Sequence, residues 1–294
     1  MRVATAVAVL FLTLAVPAPA HAWGFAAHEF IMDRAIALLP PELRPFFEAN
    51  RSEVVFRAID PDLWRTVGFL EEPPNHFLDI DAYGKYPFAE LPREWDAAVL
   101  KFGKDRLIRD GLLPWRTEEE FSNLRLDFEA YSRGGPFAAH DIVLFSGVLA
   151  HYIADAHVPL HGVVNFNGLT TGQAGIHNRW EAAMFERYKA QLKIAPQAIA
   201  PITNTRDFVF DRVLEDTQLV PGLLKADVDA IGDRDVYDDA YYAALFKAQE
   251  TVMEERLNKS IAAVAAAITG AWQAAGKPAV PVNLISAPER RRRP

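Results

Sequence analysis

The chain has 294 residues, 50% of them apolar, with 31 basic against 39 acidic side chains and no cysteine. That is enough for a globular core of one or two domains, and it excludes disulfide scaffolds and thiolate metal sites. The formal net charge of −8 argues against broad electrostatic binding of duplex nucleic acid.

In chain order, residues 1–22 read as a signal peptide. Arg2 is a short positive start, Val3 to Val16 is almost continuously apolar, and Ala20-His21-Ala22 is a small-residue cleavage box. The apolar run is shorter than the ~20 residues of a membrane span. The mature chain is therefore expected to begin at Trp23 and to be exported, to a periplasm or the cell exterior. His28 to Leu39 has a helical period that stops at Pro40-Pro41, and Pro41 to Ala49 reads as a second short helix. Residues 70–92, rich in Pro, Gly and aromatics, read as a long loop. Pro92 to Arg109 is predicted helical, with Gly111 past its end. Thr117 and Glu120 read as a capping box opening a helix to about Tyr131, and Gly134-Gly135-Pro136 breaks the chain. Helices are predicted from Ala138 to about Ala156, from Ile176 to Lys193 and, as one or two in line, from Asp235 to Ala275, with a Gly/Asn/Thr loop over 162–176. Strand alternation is scarce. The expected fold class is all-α, one compact multi-helix domain over 23–281. Residues 282–294, with Arg290 to Arg293, are expected to form a disordered basic tail.

Five of the eight histidines stand in patterned company. In "HYIADAHVPLH", residues 151–161, His151 and Asp155 are four apart and share one helical face. Pro159 ends that helix and His161 follows in the turn. His177 and Glu181 form a second pair at the same spacing. One such pair alone is equally well an ordinary hydrogen bond. Two pairs plus a third histidine past a helix end supply the imidazole and carboxylate donors that suit a zinc site in a bundle. Upstream, "AIDPDLWR" holds Asp60, Asp62 and Arg65, and "NHFLDID" holds His76, Asp79 and Asp81. Each is weak alone, because an Asp in a loop is usually a turn former. His157 falls on a different helical face from His151 and reads as structural.

Taken together, Trp23, His28, Asp62, His76, His151, Asp155, His161, His177 and Glu181 resemble, in order, the metal ligands of the superfamily of bacterial zinc-dependent phospholipases C and single-strand-specific nucleases. The resemblance runs from Trp23 to about Tyr188. It implies an all-helical trizinc phosphodiesterase. Asp62, His76, His151 and Asp155 would hold one zinc, and Asp155 would bridge to a second completed by Trp23 and His28. His161, His177 and Glu181 would hold the third. Trp23 would bind through its α-amino nitrogen and carbonyl oxygen, a chelate available only after signal cleavage; without the resemblance it reads as the first core aromatic. A zinc-bridging hydroxide would attack phosphorus, with Asp62, Arg65 and Asp155 as catalytic residues.

The substrate divides the family. Glu181 and the stretch 165–181 resemble the phospholipases, whereas Arg65 matches an arginine of the nucleases. Phe77 and Asp79 fall where the nucleases hold a base, but the phospholipases share that string. The positions that cage choline in phospholipases fall on Ala26, Leu63 and Pro73, none acidic or aromatic. The expectation is a phospholipase C-like hydrolase acting on the head-group side of a phospholipid. The alternatives are a single-strand nuclease or 3′-nucleotidase and a non-catalytic helical metal-binding module. No stable protein partner is implied.

Overall fold

Prolines and glycines set the helix boundaries. The computed structural model describes residues 23–135 and 137–282; the signal peptide expected over residues 1–22 and the arginine-rich end lie outside the described residues. The first half runs α1 (Phe25–Ala35), α2 (Arg44–Ala49), α3 (Arg51–Arg57) and α4 (Asp60–Thr66). Two 3-10 turns, Pro73–His76 and Ile80–Tyr83, interrupt the long loop before α5 (Trp95–Phe102), α6 (Lys104–Asp110) and α7 (Leu113–Ser132). Then come α8 (Ala138–Asp155), a 3-10 turn Pro159–Gly162, α9 (Ile176–Asn178), a π-helical stretch Arg179–Met184 and α10 (Phe185–Tyr188). The chain closes with α11 (Thr205–Thr217), α12 (Val220–Ile231) and α13 (Asp239–Ala274). No strand occurs among the described residues, and no helix there is long and apolar enough to cross a membrane. The fold class is all-α, as the absence of alternation predicts.

α8 is the central element, with α1, α3, α7 and α13 packed around it. Every residue from Ser146 to Val163 is buried, which fits a helix apolar on all sides. Polar side chains inside such a helix need partners, because an unpaired buried polar group costs about 1–3 kcal/mol. α3 comes very close to α8: a Cβ at Gly147 would lie 2.4 Å from Arg57 Cβ and 3.0 Å from Ala58 N. Only glycine fits there, and the contact brings the Ala58 carbonyl within 2.8 Å of His151 Nδ1.

The structure corrects some boundaries. Thr117 and Glu120 are not a capping box. α7 begins at Leu113 with Pro114 in its first turn, so Thr117 lies inside it, its hydroxyl donating to Leu113 O at 2.7 Å, while Glu120 pairs with Arg116 at 2.7 Å. A proline needs no amide partner in a first turn, and that outweighs a cap placed later. Pro92 to Arg109 is two helices, because Gly103 adopts φ 80° between them. Asp60 and Asp62 belong to a helix rather than a loop, with Pro61 in its first turn. α11 and α12 occupy a region for which no element was predicted.

Candidate metal centre

Seven segments deliver polar side chains to one place. α1 carries His28, α4 carries Asp62 and Arg65, and the first 3-10 turn ends on His76. α8 contributes His151 and Asp155 from one face, a turn apart. Pro159 cannot continue the helix, and the turn it opens brings His161 back. α9 supplies His177, and Glu181 lies in the π-helical stretch, a wider turn that occurs mostly at functional sites.

Asp155 lies at the middle. Its Oδ1 is 3.4 Å from His28 Nε2 and 3.8 Å from His161 Nδ1; its Oδ2 is 3.1 Å from His76 Nδ1 and 3.2 Å from His151 Nε2. Farther along, His177 Nε2 stands 2.8 Å from Glu181 Oε2 and 2.9 Å from His161 Nε2. Asp62 Oδ1 is 2.8 Å from an Arg65 terminal nitrogen and 3.9 Å from His76 Nδ1. All eight candidate ligand side chains from His28 to Glu181 are buried.

Three groups converge closely enough to hold a cation: His28 with Asp62 and His151; His76 with His151 and Asp155; His161 with His177 and Glu181. Within each, the ligand atoms lie within 4.8 Å of one another. Two donors on one tetrahedral zinc at about 2.0–2.2 Å sit about 3.4 Å apart, close to the separations around Asp155. Buried atoms without a hydrogen-bond partner include both His28 nitrogens, Asp62 Oδ2, Asp155 Oδ1, His161 Nδ1 and both Glu181 oxygens. So many unsatisfied donor atoms in one dry place fit bound cations, and the nitrogen and oxygen set suits zinc.

The electrostatics agree. Burial alone would push Asp155 up, but the charges of His151 and His161 and the close imidazoles of His151 and His28 hold it well below the usual carboxylate range. Burial likewise opposes charge on His76, yet Asp155, Glu72 and Asp62 raise it to about 9. Burial raises Glu181 to about 8 and, with the Arg65 charge, lowers His177 to about 4. Without a cation, protons thus take up the charge of the cluster.

A pocket of about 260 Å³ opens onto this centre, lined by Arg65, Pro73, His76, Phe77, Leu160, His161, Phe166 and His177. Among the described residues, Arg65 is the sole permanently charged side chain on its wall. Phe77, expected from the sequence as a substrate contact, is on this wall. Asp79 is not on the wall; burial and the charges of Asp81 and Asp110 raise it to about 7. Phe166, whose ring meets that of His177 at 5.6 Å, carries no signal of its own in the 165–181 stretch. The Trp23 indole is wholly buried against Trp180, and its Nε1 donates to Ala154 O at 2.9 Å, which fixes the described start of the chain beside Asp155.

No family profile and no curated protein matches the chain. A solved structure does. The fold is similar to that of Clostridium perfringens alpha-toxin from an avian strain, with a TM-score of 0.50 and 14% identity over 85% of this chain. The match covers 64% of the toxin chain, so this protein spans less than two thirds of that length. At such identity the likeness concerns the fold alone. The molecule is a multi-helix domain of the alpha-toxin architecture with His/Asp/Glu clusters able to bind metal.

Proposed function

We propose that this chain is an exported zinc-dependent phosphodiester hydrolase of phospholipase C type. It holds three zinc ions, with Trp23 completing the ligand set through its α-amino group. The observation that carries this reading is the Asp155 carboxylate, ringed by four buried imidazoles beside a pocket walled by Arg65. Bound in this set, zinc supplies Lewis acidity, which lowers the pKa of water toward about 7 and neutralises phosphoryl oxygens.

The chain's own groups have separate tasks. The Arg65 guanidinium, anchored on Asp62 Oδ1 at 2.8 Å, donates to phosphoryl oxygens as charge builds on them. Asp62 Oδ2, buried and unpartnered, is available to accept a proton from the attacking water. Pro73, Phe77, Leu160 and Phe166 keep the pocket wall dry, which strengthens these interactions.

Lipid is favoured over nucleic acid by the surroundings of the pocket. The turn after Arg65 exposes Phe69 and Leu70, at 59% and 90%, and the loop holding Phe166 exposes Leu169. Apolar loop tips beside a reactive pocket suit a lipid aggregate, whereas a polynucleotide needs a basic track. Arg65 on the pocket wall favours the nuclease reading as the second choice.

Metal analysis of the chain starting at Trp23, with parallel hydrolysis assays on phosphatidylcholine micelles and single-stranded DNA, tests these readings. Zinc with lipid turnover is expected. DNA turnover alone transfers the reading to the nuclease, and zinc without turnover leaves a binding module. A chain carrying Met before Trp23 is expected to stay helical and to lose one zinc and most activity.

A further inference from the structure

We propose that Glu72 positions the His76 imidazole, fixing its proton on Nε2 and leaving Nδ1 as the electron-pair donor of the metal centre. This rests on the metal-binding reading above. His76 has two faces. Its Nδ1 looks into the cluster, 3.0 Å from His151 Nε2 and 3.1 Å from Asp155 Oδ2. Its Nε2 looks the other way, 3.3 Å from Glu72 Oε1 in a contact not yet aligned as a hydrogen bond.

Glu72 is itself buried, and its carboxylate is held from two sides. Tyr152 donates its hydroxyl to Oε1 at 2.5 Å, and Asn75 Nδ2 donates to Oε2 at 3.2 Å. Arg116 backs the tyrosine, its Nε donating to the hydroxyl at 3.4 Å and its guanidinium lying 5.5 Å from the ring centre. Tyr152 follows His151 on α8, so one helix sends a ligand to the centre and the next side chain to the carboxylate behind it.

An ionised carboxylate only accepts, so Nε2 of His76 must be the donor. The same logic applies to His151, whose Nδ1 donates to Ala58 O at 2.8 Å and whose Nε2 then carries the lone pair. With both imidazoles neutral, two lone pairs would face each other 3.0 Å apart, beside Asp155. That arrangement repels itself until a proton or a cation lies between. Without Glu72 the His76 proton could move to Nδ1 and bond to His151 and Asp155, closing the site against metal. Carboxylates behind metal-binding histidines act in this way, and their loss typically costs 10–100-fold in metal affinity.

The test compares the full chain with Glu72→Leu, Glu72→Gln and Tyr152→Phe. Zinc affinity is read by competition with a chromophoric chelator, and the His76 tautomer by ¹H–¹⁵N correlation of the loaded protein. Unfolding midpoints of the metal-free proteins report any purely structural effect. Glu72→Leu should bind zinc about 10–100-fold more weakly and lose the Nε2–H signal. Glu72→Gln keeps an acceptor oxygen and should recover most of the affinity and the signal. Tyr152→Phe should fall between them. If Glu72→Leu does not fold, the contrast of Glu72→Gln and Tyr152→Phe with the wild type carries the test. Equal zinc affinity across the series, an unchanged tautomer in Glu72→Leu, or Glu72→Gln binding as weakly as Glu72→Leu overturns the proposal. A wild-type chain that binds no zinc overturns the metal reading instead, and that measurement comes first.

Discussion

Asp155 and Arg65 fail differently when altered. Asp155→Asn removes the charge that four imidazoles face, so it should abolish stoichiometric zinc uptake, as read by elemental analysis, while the helical signal persists. Arg65→Ala removes a donor from the pocket wall but no metal ligand. It should lower kcat by about 10²–10³ with zinc content unchanged, the range for a lost charge-stabilising donor. Arg65→Lys should not restore it, because a guanidinium fork and an ammonium are not interchangeable. His157, two residues past Asp155, has a structural role. It is wholly buried, its Nδ1 donates to Ile153 O at 2.7 Å, and burial lowers it to about 3. Between pH 3 and the usual histidine value of about 6.5 the unfolded chain binds a proton that the folded chain refuses. Stability therefore falls on acidification through that window, by up to about 1.4 kcal/mol per pH unit. Urea melts of the wild type and His157→Gln should diverge below pH 6.5, with the wild type losing more.

At the scale of elements, the contact of α3 with α8 governs His151. Gly147→Ala would push Arg57 and Ala58 outward, since its Cβ has no room. Overpacking of this kind costs about 1–3 kcal/mol, visible as a lower unfolding midpoint. The same shift would draw the Ala58 carbonyl from His151 Nδ1, so zinc affinity should fall as well. Such a contact is illegible in one sequence, because a glycine inside an apolar helix shows no sign of what it faces. The His151/Asp155 and His177/Glu181 pairs were legible because helical spacing alone puts them on one face. Glu72, four residues before His76, had the same spacing but was passed over within a segment read as loop. α11 had a signal too, since Asn204 caps it by accepting from Asp207 N at 3.0 Å. The π-helical turn under Glu181 had none, because its widening is set by tertiary packing.

For the whole molecule, the centre ties α1, α4, α8, two turns and the α9 region together. Cations bound there stabilise only the folded chain, by about 2.7 kcal/mol per site at a hundredfold excess over Kd. Chelation should lower the unfolding midpoint by about 5–10 °C per site lost, at about 2–4 °C per kcal/mol for a domain of this size. Calorimetry with and without chelator reads this directly; an unchanged midpoint contradicts it. The helical class and the eight polar side chains that converge were legible in the sequence, whereas the pocket was not. Its wall joins residues 65–77 to 160–177, and long-range closure leaves no local pattern. One consequence follows from the two oxygens of Asp155. Oδ1 serves the His28 and His161 side and Oδ2 the His76 and His151 side, so filling one half repolarises the carboxylate that the other half must use. Cations bound on the two sides should therefore change one another's affinity, by the same factor whichever side fills first.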